Sequence, residues 1–184
     1  MSWAGLLIFM AMEIQWQHPV EGEYIPYQSL YLEKVPAGNL VHILEQSLEQ
    51  TLATLSALTN EQAEYAYAPG KWTIKQVLIH INDCERILAY RALCIARGEQ
   101  LPLPGFEQDD YVAAANLTER NMSDMLEEFR SIRMATLTLI KSFNSEIINR
   151  KGNANKHPIT VNALCYVIAG HELHHMSIIR ERYL

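Results

Sequence analysis

Near the C-terminal end, three of the seven histidines fall within five residues, His171-Glu172-Leu173-His174-His175. The apolar residues around them, Val161, Leu164, Ile168 and Ile178, recur at the alternating three-and-four spacing of a helix face. Continued through the gap, that series lands on His171 and His175, so two imidazoles stand where a buried helix ordinarily carries Leu or Ile. Residues four apart lie one turn above each other, about 5–6 Å apart at Cβ. That is close enough for both rings to ligate one metal ion. His174 falls one residue off this seam, and its expected place is facing solvent or supporting the ligands from behind; it takes over if the register is shifted by one.

A His pair on one helix needs a ligand from elsewhere to make a tight site. Glu172 follows His171 as the general base follows the first histidine of zinc proteases. Only nine residues remain after His175, however, with no His or Cys among them and Glu181 as their one carboxylate. The third ligand must therefore lie upstream. His80 is the best candidate, the one other histidine on an apolar helical face, beside Val77, Ile81 and Cys84. His42 is off its helical stripe, His157 adjoins Pro158 in a connection, and His18 precedes the packed part of the chain. A lone histidine at a core edge is ordinarily a hydrogen-bonded packing residue, and the competing reading of His171 and His175 is the same. Two buried neutral imidazoles without partners would each cost about 1–3 kcal/mol, whereas ligation satisfies both, and so ligation is preferred.

The elements that must hold these residues are helices. Asn39 can cap a helix whose stripe is Leu40, Ile43, Leu44, Leu48, Thr51, Leu52 and Leu55. Thr59 to Gln62 reads as a capping box opening one short turn. Thr73 to Gln76 is a second capping box, and the stripe from Ile74 through Val77, Leu78, Ile81, Leu88 and Ala92 to Ile95 runs on to Gly98 as terminator. A third long helix is expected from about Thr118 to near Phe143, and Thr160 caps a fourth that carries the histidine pair. Residues 150–158 read as a polar connection without periodicity, and residues 24–35 as an aromatic strap or short helix over the core. Strand alternation, phosphate loops and dinucleotide fingerprints are not found in the sequence. The fold class expected is all-α, an antiparallel four-helix bundle in which metal sites are built from facing helices.

Composition narrows the partners. A chain of 184 residues with 49% apolar and 20% charged residues suits one globular domain. The net charge of −6 without a Lys/Arg cluster argues against nucleic acid. Cys84, Cys94 and Cys165, odd in number and without CxxC spacing, read as buried free thiols in a reducing, cytoplasmic setting. The apolar run over residues 1–12 has no preceding Lys or Arg and stops at Glu13, short of a membrane span. Residues 1–23 are accordingly taken as an irregular N-terminal extension and 24–184 as the domain.

Three segments in combination, Gly70-Lys-Trp-Thr-Ile-Lys-Gln-Val-Leu-Ile-His80-Ile-Asn-Asp83-Cys-Glu85-Arg86, Leu103-Pro-Gly-Phe-Glu-Gln-Asp109 and Ile168-Ala-Gly-His171-Glu-Leu-His-His175, resemble the DinB-like (YfiT-type) superfamily. The resemblance covers nearly everything from Tyr24 onward. It implies a four-helix bundle in up-down-down-up order, often a homodimer, with a divalent metal held by one histidine of the second helix and the HxxxH pair of the fourth. Carried over residue by residue, these are His80, His171 and His175, the set already reached from helical phase. The extension before Tyr24 departs from the usual short start of the family.

Three imidazoles leave a coordination position open, as in catalytic rather than closed structural sites. The function expected is that of a metal-dependent enzyme acting on a small molecule, either a hydrolase using a metal-activated water or a transferase of a low-molecular-weight thiol. The alternative is a non-catalytic, stress-response metal-binding protein in which the ion ties helices together. Zinc or nickel are the first expectations for the metal, with iron or manganese next. No catalytic base is assigned; Asp83, Glu172 and His174 are nominated only as residues orienting the ligands.

Overall fold

The computed structural model describes residues 14–184, so the apolar run over residues 1–12 lies outside the described residues. A 3-10 turn, Pro26–Gln28, leads into a short α1 (Ser29–Leu32), then α2 (Leu40–Ser56), α3 (Asn60–Ala63) and α4 (Ile74–Ala96). After α5 (Gln108–Ala114), α6 (Met122–Lys141) and α7 (Ser145–Ile148) comes a hairpin of β1 (Lys151–Ala154) and β2 (His157–Thr160), from which α8 (Val161–Arg182) departs.

Local chemistry sets the helix starts. The Asn39 side chain accepts from the amides of Val41 and His42, and Thr59 with Gln62 and Thr73 with Gln76 form reciprocal capping boxes. Thr160 accepts from the Ala163 amide. The third long helix starts later than expected, at Met122, because Asn121 rather than Thr118 caps it, and it ends at Lys141 rather than near Phe143. Two elements went unread in the sequence. The connection over residues 150–158 holds the hairpin, paired Lys151 with Thr160 and Ala154 with His157. Its two-residue turn, Asn155-Lys156, has both φ values positive (51° and 67°), as a type I′ turn requires. A lysine in place of the usual glycine hides that signal. The short α5 lacks a capping side chain and is defined by packing on α4.

Hydrogen bonds between the long helices fix their directions. Lys141 reaches Glu45 while Arg133 reaches Ser47, so α2 and α6 run oppositely. Asn82 donates to Met125 O and Arg133 pairs with Glu85, so α4 and α6 run together. The α8 helix packs its start with Leu40 and Leu44 of α2 and with Ile95 at the end of α4. Its end packs with Leu52 and Leu55 of α2 and with Ile74 at the start of α4. The order is up-down-down-up, which leaves α2/α8 and α4/α6 as parallel neighbours.

Two apolar clusters fill the bundle, one toward each end. Between them lies a polar belt to which every long helix contributes: Ser47 and Thr51 from α2, His80 and Glu85 from α4, Arg133 from α6, and His171 and Glu172 from α8, all buried. At the hairpin end, residues upstream of Tyr24 join the packing. Ile14 and Trp16 lie against the first cluster, and Gln17 O accepts from the Asn162 side chain. Among the described residues no helix is long and apolar enough to cross a membrane.

Candidate metal centre

The belt divides into two halves because consecutive residues of a helix point about 100° apart. His171 faces α4, and Glu172 faces α2 and α6. On the α4 side, His171 Nε2 lies 3.0 Å from His80 Nε2 and 3.2 Å from His175 Nε2. The candidate ligand atoms of the three residues all lie within 4.8 Å of one another. Tetrahedral nitrogen ligands at 2.0–2.1 Å from a zinc ion sit roughly 3.3 Å apart, so this convergence fits a divalent cation with little adjustment.

The electrostatics favour the ligating form. Burial lowers the His80 pKa to about 4, against a small opposing pull from Asp109. Burial first, then His80 and His174, lower that of His175 to about 3. His171 is driven well below the ordinary range by burial and by its three histidine neighbours. All three are thus neutral near pH 7, which is the state that coordinates a metal.

The other nominated residues stand elsewhere. The Glu172 carboxylate accepts from Ser47 Oγ at 2.6 Å, Thr51 Oγ1 at 2.7 Å and Arg133 Nη2 at 2.8 Å. Both its oxygens are thereby committed to the far side of α8, away from the histidines. Asp83 is half-buried and 3.9 Å from Arg86, in a surface cleft with Ile79, Tyr111 and Arg120. His174 stays off the cluster, its ring edge-on to Tyr31 at 5.3 Å.

Other neighbours were not singled out from the sequence. Cys84 Sγ lies 3.6 Å from His80 Nδ1, one turn along α4; its spacing of four from His80 was a legible signal. Trp72 packs against the His80 ring at 4.8 Å, and Tyr31 meets His171 edge-on at 5.2 Å. Tyr31 arrives there because α1 crosses α8 at Gly170, where any Cβ would overlap the Tyr31 carbonyl. Among the described residues two clefts open on the cluster. One of about 430 Å³ reaches His80 and His171, the other of about 350 Å³ reaches His175. Gln108 and Asp109, at the start of α5, line both.

A bundle of this topology with three histidines converging from the second and fourth long helices defines a class. The DinB superfamily matches residues 43–179, a span that includes all three histidines, and the chain belongs to that superfamily. Among solved structures it is similar to YfiT from Bacillus subtilis, described as a probable metal-dependent hydrolase with an unusual four-helix bundle topology. The TM-score is 0.71 at 17% identity, with 89% of each chain covered, so the likeness is one of fold. Comparison with curated proteins found no match.

Proposed function

We propose that His80, His171 and His175 hold one divalent cation and that the chain is a metal-dependent enzyme acting on a small molecule, as a hydrolase or a low-molecular-weight thiol transferase. The observation that carries this reading is the convergence of three neutral Nε2 atoms, those of His80 and His171 buried and that of His175 half-buried, where two clefts open. The description of YfiT as a metal-dependent hydrolase points the same way. A cation held there supplies Lewis acidity, lowering the pKa of a water or thiol at its free position. The protein's own part is to position and to admit. Trp72 packs on the His80 ring and Tyr31 on the His171 ring, and the two clefts give a small molecule its way to the imidazoles. Asp109 lines both clefts beside the histidines and is the carboxylate assigned to take a proton released in them.

The second reading, a cation that only ties α4 to α8, is favoured by the single observation that the ligands come from two helices packed along their length. Protein loaded with zinc or nickel, assayed against ester, amide and thiol-conjugate substrates, separates the two. Turnover that disappears with chelator and in His171→Ala is the expected result. No turnover on any substrate, together with strongly metal-dependent melting, would establish the tie instead.

A further inference from the structure

The cleft at His80 and His171 extends along α4 past Cys84 and Leu88 to Arg91. Arg91 is three turns beyond His80, roughly 16 Å of helix rise, and its side chain faces the same trough. It is only 8% exposed, yet among the described residues it makes no ion pair with a carboxylate. Nη2 donates to Pro104 O at 2.6 Å, and the guanidinium lies 6.0 Å from the centre of the Phe106 ring. Among the described residues no acceptor meets Nη1 or Nε. Burial lowers its pKa, and the contributions that oppose this come from Tyr27 and Cys84, not from any acidic residue. The other sequestered guanidinium, Arg133, has two carboxylates. A buried cation without a counter-charge is costly to maintain, and a guanidinium fixed on one edge with its remaining N–H groups free presents the planar fork that a carboxylate fits.

We propose that Arg91 is the anion anchor of this cleft, so that the small molecule it takes carries a carboxylate at one end and its reacting group at the other, against the histidines. The far end of this pose rests on the metal reading given above; the anchor does not. Tyr27 and Phe106 flank the carboxylate end with aromatic surface, and the apolar wall of Leu88 and Val167 accepts an alkyl or thioether link between the two ends.

The anchor is tested first on metal-free protein, by ligand-observed NMR titration of ω-hydroxyalkanoates of increasing length against the diols of equal length. Wild type is expected to prefer the carboxylates by at least about tenfold. The preference should vanish in Arg91→Met and Arg91→Gln and survive in part in Arg91→Lys, with circular dichroism melts confirming that each variant is folded. Equal binding of acids and diols, or a preference that persists in Arg91→Met, would overturn the anchor. A second arm uses cobalt-loaded protein with ω-mercaptoalkanoates and the matching mercaptoalkanols, following the thiolate-to-cobalt absorption band. A band with both series, tighter for the acids at one chain length, supports the full pose. An acid preference without any band keeps the anchor and removes the metal reading; a band with no acid preference does the reverse.

Discussion

Histidine at a core position is a choice between two energetic states, hydrogen-bonded neutral or metal-bound. His171 has imidazoles on both sides, His80 at 3.0 Å and His175 at 3.2 Å, and one ring nitrogen cannot serve two such contacts as well as a shared cation can. His171→Ala should therefore abolish metal binding while His174→Ala leaves the stoichiometry intact, as read by elemental analysis of the two purified variants. The pH dependence follows from the same burial. An unfolded histidine titrates near 6.5, whereas His80 in the native metal-free chain is held down to about 4 and His175 to about 3. Between those values the unfolded chain binds protons that the native chain refuses, so stability is fully present above about 6.5 and is lost as pH falls through the window. The Tm of metal-free wild type should drop steeply from pH 7 toward pH 4.5, and a His80→Asn/His175→Asn double variant should show a flatter profile; identical profiles would contradict the assignment.

At the scale of elements, α8 is a two-faced helix. Its hydrophobic periodicity is interrupted twice, once for the histidines and once for Glu172, which the sequence suggested as a residue orienting the ligands but whose carboxylate is bound by Ser47, Thr51 and Arg133. Arg133, which the sequence did not single out, is fully buried among Phe129, Ile132 and Leu137 of α6 and bonded to Glu85, Glu172, Ser47 and Leu44 O. Burial opposes its charge, but the two carboxylates outweigh that and raise its pKa. Removing one member leaves an uncompensated buried charge, so Arg133→Met should cost about 3–5 kcal/mol in urea unfolding. Glu172→Gln should lower stability in the same way yet leave one metal per chain, which separates this half of the belt from the histidine half. Gly170→Ala forces α1 off α8 at Tyr31 and should cost about 1–3 kcal/mol. Helix caps, stripes and the site histidines were legible because each is a local pattern. The hairpin and α5 were not, since one depends on an unusual Asn-Lys turn and the other on contact with α4. Tyr31 and Asp109 come to the cleft from other parts of the chain, and no spacing rule links them to His80, whereas Arg91 stands three turns along the same helix.

For the whole molecule, the histidines sit at the middle of a bundle whose two apolar clusters could each be packed without them. A ligand that binds the native state alone stabilises it by about 2.7 kcal/mol at a hundredfold excess over its dissociation constant, so zinc or nickel should raise Tm and chelator should reverse the gain. The central claim concerns the cation itself. Protein purified without a nickel column should carry about one divalent ion per chain by elemental analysis, and a His80→Ala/His171→Ala variant prepared alongside should carry none. Equal and negligible metal in both preparations, under conditions where metal is supplied, would contradict the account.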